Sequence, residues 1–128
     1  MIYAFAEVVG SGVKRLGLSP PLTETEYESV IDDTRLIAEE YGVKLYTDRD
    51  FLETLLFNPE YTRGRTVIHL ADSRETLDEY LRLKERKRRL EESGELTRMK
   101  EEEIARSLGA LLSYSEETVN RLLEKPRF

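Results

Sequence analysis

Apolar positions along this chain change spacing several times, and each change marks an element. Tyr27, Val30, Ile31, Thr34, Ala38 and Tyr41 recur at intervals of three and four, the spacing that lines one face of a 3.6-residue helix. Thr23 with Glu26 forms a capping box before that run and Gly42 offers a left-handed terminator after it, so a helix is predicted between them. Val43 to Thr47 alternates apolar and polar, as a half-buried strand does, and Thr66 to Leu70 reads as a second strand. Between the two, Asp48 is placed to cap a brief helix carrying Phe51, Leu52, Leu55 and Leu56, with Asn58-Pro59 as its stop. A long helix is predicted from about Arg74 to Glu92, capped by Asp72 or Ser73 and ended by Ser93-Gly94. Another runs from about Thr97 to Leu112, turns at Tyr114, and yields to a last helix capped by Ser115 and closed by Pro126.

The start of the chain admits two patterns. Ile2, Phe5, Val9, Val13 and Leu16 stand at helical spacing, although Gly10 and Gly12 each cost a helix about 1 kcal/mol relative to Ala. The alternative is a strand over Tyr3 to Val9 followed by a glycine turn. Gly17 to Pro21 is expected to be a connector, because Pro20 and Pro21 cannot continue a helix. Joining the two later strands through a helix implies a parallel, right-handed pair. Two strands alone are marginally stable, so either the N-terminal segment adds a third or a second subunit completes the layer. The expected fold is a helix-rich α+β single domain over residues 1–128. It has a small two- or three-stranded sheet containing a parallel strand-helix-strand unit, and a C-terminal set of three helices.

Composition removes several chemistries. A chain of 128 residues suits one domain. Without cysteine there is no disulfide, thiolate nucleophile or cysteine-ligated metal. Glutamine is absent and asparagine occurs only at Asn58 and Asn120, a bias that fits a heat-adapted source. The net charge of -6 is unevenly spread: residues 1–64 carry 6 basic and 12 acidic side chains, and residues 65–128 carry 14 of each. The first half therefore repels phosphate. No stretch approaches the roughly 20 apolar residues of a membrane span, and the start lacks the marks of a signal peptide, so a cytoplasmic location is expected.

His69 is the only histidine and lies near a strand end with Asp72 beyond it, where ligands of parallel sheets often gather. A metal site needs three or four ligands, and no second imidazole or thiolate is present. The one basic cluster is Arg82, Lys84, Arg86, Lys87, Arg88 and Arg89, six cations among eight residues. Acidic residues share the helix, and Asp78 to Arg82 and Glu85 to Arg89 have ion-pair spacing, so a solvated face is the simpler reading. That face has a second use in docking an acidic partner, including the acidic half of another copy. Gly10-Ser11-Gly12 has two glycines of a dinucleotide fingerprint, but Arg15 stands where the third belongs. The seven tyrosines are too scattered to form a base-stacking platform.

The segment from Gly109 to Val119 carries two resemblances. Ala105 and Gly109 fit the first helix and turn of a bacterial-type helix-turn-helix. Val119 comes ten positions after Gly109, however, about one helical turn too late, and Glu116, Glu117 and Glu124 oppose Arg121 and Lys125. In unbroken register, Gly109, Leu111, Leu112, Tyr114 and Val119 resemble an archaeal family of uncharacterised proteins with a Gly-x-Leu-Leu-Gly-Tyr-Pro-x-Cys-Cys-Val segment. This chain departs from it with Ser113, Ser115, Glu117 and Thr118, and so lacks both cysteines. The resemblance implies a helical corner and lends no activity. Physically, Leu111 and Leu112 end one helix on its buried side, Tyr114 fills the corner and Ser115 caps the next helix.

These observations lead to an expected non-enzymatic binding or assembly module, working as a homo-oligomer or with a protein partner. The alternative is a nucleic-acid-binding protein using Lys84 to Arg89 or the C-terminal helix pair, and an enzyme centred on His69 comes third. No cofactor, metal ligand or catalytic residue is assigned. The candidate ligand or partner residues are His69, Asp72, Lys84, Arg86, Lys87, Arg88, Arg89 and Tyr114.

Overall fold

A single central strand organises the molecule. The computed structural model describes residues 14–125, in which β1 (Leu16–Leu18) and β2 (Lys44–Asp48) both pair antiparallel with β3 (Val67–Ala71), in the order β1-β3-β2. Helix α1 (Glu24–Tyr41) joins β1 to β2, and the one-turn α2 (Pro59–Thr62) lies between β2 and β3. After β3 come α3 (Arg74–Glu92), α4 (Arg98–Leu111) and α5 (Glu116–Glu124). The fold is helix-rich α+β. The alternative patterns for the first residues, the Gly10-Ser11-Gly12 sequence and the closure at Pro126 fall outside the described residues.

Strand β3 is buried along its whole length because helices cover both sheet faces. Ile68 and Leu70 pack with Tyr27, Ile31, Ala38 and Val43 on the α1 side, while Val67 and Ala71 join Leu16, Leu77, Tyr80, Ile104 and Leu108 on the other. Alternating side chains of one strand thus feed two cores. Helix α1 forms where its pattern places it: the Thr23–Glu26 capping box is complete, and Gly42 takes φ 67° while its N–H donates to Ala38 and Glu39 carbonyls.

Three expectations are corrected. The strands over Val43 to Thr47 and Thr66 to Leu70 are antiparallel, not parallel, because the chain between them forms only one helical turn and no crossover helix to return it to the same end of the sheet. The strand-helix-strand unit is instead β1-α1-β2, whose strands share a direction and have β3 between them. Secondly, Gly17 to Pro21 is not wholly connector, since β1 supplies the third strand. Prolines bias the residue before them to extended geometry, and Ser19 N–H donates to Ile68 O (2.9 Å) while Leu22 and Thr66 exchange two backbone bonds. Thirdly, Phe51 to Leu56 is not helical, and Asn58-Pro59 starts a helix where a stop was expected. Asn58 accepts from Glu60 N–H and proline opens the first turn, where its missing N–H costs nothing.

At the C-terminal corner α4 ends on Leu112, Ser113 takes φ 62°, and Tyr114 N–H donates to Gly109 O (2.9 Å). Leu111 and Leu112 are buried, as are Val119 and Leu122 of α5. A Cβ at Gly109 would sit 2.6 Å from Val119 Cγ2, so the missing side chain sets how closely α5 approaches α4.

Candidate functional site

A buried ionisable cluster is assembled by β2, β3 and α3. Tyr46 and Asp48 share a parity on β2, and cross-strand register sets Tyr46 opposite His69. From α3, Tyr80 and Lys84 lie one turn apart and both reach Asp48. Asp48 Oδ2 accepts from Tyr80 Oη (2.5 Å); Oδ1 accepts from Lys84 Nζ (3.0 Å) and Asp50 N–H (3.0 Å). His69 Nε2 stands 3.2 Å from Oδ2, yet neither ring nitrogen completes an aligned hydrogen bond. The imidazole lies against Tyr80 (ring centroids 4.3 Å apart), Tyr46 (5.6 Å) and Phe51 (5.7 Å).

Burial sets the protonation states. The Asp48 and His69 side chains are 1 % and 0 % exposed. Desolvation pushes the Asp48 carboxyl up, but His69, Tyr80 and Lys84 together outweigh it and hold the group well below the usual carboxylate range. Desolvation also pushes the His69 imidazole below its ordinary 6.5, more than the nearby carboxylate lifts it. The Tyr80 hydroxyl is pushed far up, by burial first and then by the Asp48 charge. An ionised Asp48, a neutral His69 and a protonated Tyr80 result.

The acid-base groups at the centre of this cluster, Asp48, His69 and Tyr80, are buried, whereas Lys84, with its side chain 23 % exposed, and the partly buried Tyr46 lie at its edge. What it does hold is the connection after β2. Leu52 N–H donates to Tyr80 Oη (3.0 Å) and Lys87 Nζ donates to Glu53 O (2.7 Å), so α3 side chains satisfy backbone that has no helix or sheet of its own. Two of the cations on α3 are therefore structural.

Of the sequence-predicted residues, His69 and Lys84 meet at Asp48, and the others scatter. His69 meets Asp48, and Asp72 instead accepts from Thr76 Oγ1 (2.6 Å). Arg86 pairs with Glu103 (2.8 Å), Arg88 with Glu85 and Glu92, and Arg89 with Glu85 (3.1 Å). Asp78 is bound by Arg74 (3.1 Å) and not by Arg82 as its spacing suggested. Tyr114 lies at the α4–α5 corner with Lys14 Nζ 5.7 Å from its ring centre. Sequence reasoning missed Asp48 and Tyr80 as a pair. The available signal was parity: Asp48 falls on the same strand face as Tyr46, which faces the core.

The surface offers a groove of about 430 Å³ between α3 and α4, lined by Arg15, Glu79, Arg82, Leu83, Arg86, Ser107, Ala110 and Leu111. Arg15 is paired with Glu79, whereas Arg82 has no carboxylate partner among the described residues. Among those residues no group of three or more His, Asp or Glu could hold a metal ion, and no helix is long and apolar enough to cross a membrane. Compared with protein-family models, curated proteins and solved structures, the chain matches none.

Proposed function

We propose that this chain is a non-enzymatic binding or assembly module that works through protein contacts, including contacts with its own copies. The observation that carries the reading is the division of its ionisable groups. Asp48, His69 and Tyr80 are sealed in the core, so the strongest acid-base set serves the fold. Among the surface features is a groove that combines Leu83, Ala110 and Leu111 with the charged Arg15, Glu79, Arg82 and Arg86. Such a mixture suits a protein partner, for which apolar contact contributes affinity and charge selects the mate.

The nucleic-acid reading draws less support. Arg86, Lys87, Arg88 and Arg89 are each engaged by acidic side chains, which leaves few charges to displace counterions from a phosphate backbone. Sedimentation velocity over a wide concentration range at low ionic strength tests the assembly reading. The expected result is a sedimentation coefficient that rises with concentration. A single monomeric boundary throughout would overturn it.

A further inference from the structure

We infer that the α3–α4 groove of one molecule receives the outer face of α1 from a second copy of the same chain; the inference rests on the assembly reading and names its contact. Leu36 is 66 % exposed on α1. The residues three and four positions away on either side are Asp32, Asp33, Glu39 and Glu40, all exposed. Helical geometry places those four around Leu36, making an apolar knob in a carboxylate ring. The groove has the inverse design. Leu83, Ala110 and Leu111 give it an apolar lining, and Arg15, Arg82 and Arg86 line it together with Glu79 and Ser107.

Charge decides which surfaces meet. Two α1 faces would set carboxylates against carboxylates, and two grooves would bring Arg82 against Arg82 with Arg15 and Arg86 already paired. Of these three pairings, knob into groove alone brings opposite signs together. Arg15 and Arg86 each already hold a carboxylate of their own chain, so Arg82 is the cation most available to the incoming ring. The net charge of -6 opposes indiscriminate approach, and attraction must come from this local match, which salt screens.

The topology then dictates the kind of assembly. Helix α1 covers one face of the sheet and the groove belongs to the helices on the other. A molecule that offers its knob keeps its groove free. The contact is heterologous, and it propagates into a chain of molecules unless the rotation closes a ring.

Two exposed substitutions test this on the full chain: Leu36→Lys removes the knob and Arg82→Glu reverses the groove arginine that has no carboxylate partner among the described residues. By sedimentation velocity each should weaken self-association roughly tenfold or more, from the lost apolar burial in one and the new repulsion in the other. Far-ultraviolet circular dichroism should match the parent for both. Mixing the two variants should restore a one-to-one dimer and nothing larger, because one contributes an intact groove and the other an intact knob. If the parent assembles and both variants assemble equally well, this contact is overturned while the assembly reading stands. A parent that stays monomeric at every concentration overturns both. Salt-sensitive binding of a nucleic acid by the parent, lost in Arg82→Glu, would give the groove to a phosphate backbone and overturn the inference as well.

Discussion

Replacing Asp48 by Asn is the sharpest test of the buried cluster. The carboxylate serves three completed donors, with a fourth group at 3.2 Å: Asp50 N–H and Lys84 Nζ at one oxygen, Tyr80 Oη and His69 Nε2 at the other. An amide keeps one acceptor oxygen. If that oxygen faces Asp50 and Lys84, the new NH₂ meets the Tyr80 hydroxyl, whose oxygen already accepts from Leu52 N–H. If it is turned the other way, the NH₂ meets an ammonium. Removing one member of a buried charge pair costs about 3–5 kcal/mol. Lys84 can recover some hydration because its side chain is 23 % exposed, so the expected loss is about 2–4 kcal/mol. Against a typical domain stability of about 5–15 kcal/mol, that is a large fraction. Urea unfolding at neutral pH should show a lower midpoint with an unchanged slope. Tyr80→Phe, which keeps the ring beside Phe51, should cost about 1–3 kcal/mol by stranding Leu52 N–H. The double variant should lose less than the sum, since one bond is counted in both. A loss below about 0.5 kcal/mol for Asp48→Asn would refute the account, because surface-like substitutions reach that much.

The same packing sets further outcomes. His69 and Asp48 both have depressed pKa values in the folded state, so the unfolded chain binds more protons and stability falls with acidification. The His69 contribution is present above 6.5 and declines as pH drops below it, and that of Asp48 is lost below its ordinary 3.8. Thermal melts of His69→Leu should lack the first decline and keep the second; an unchanged pH profile would show that burial does not shift the His69 pKa and would refute this account. Gly109→Ala should destabilise by about 1–3 kcal/mol in chemical denaturation through overpacking against Val119, and Val119→Ala should relieve the clash. A stabilised Gly109→Ala would mean that α5 can move outward freely. Ser113→Gly should stabilise by up to about 1 kcal/mol, since φ 62° strains a side chain and not glycine. Leu112→Ala should cost about 2–5 kcal/mol at its buried site; a near-neutral result would place that leucine outside the core.

Local rules in the sequence determined the α+β class, the four longer helices and most of their caps, but not the short helix at Pro59–Thr62. Thr23, Gly42, Ser73, Thr97 and Ser115 act within a few residues of themselves, and the described structure has each at a helix end. Strand existence at Val43 to Thr47 and Thr66 to Leu70 was legible for the same reason, because alternation is a short-range pattern. Strand direction was not, since antiparallel pairing depends on what fills the connection, and there Phe51 and Leu52 pack against α3, with Leu52 N–H bonded to Tyr80 and not to a helix of its own. The third strand was hidden by length: Leu16–Leu18 is too short to show alternation, and its pairing with β3 is visible only across more than fifty residues of chain. The candidate site obeyed the same division. The basic run on α3 was plain to read, but which cations are spent on carboxylates, on a backbone carbonyl, or on the buried Asp48 depends on side chains that only packing brings within reach.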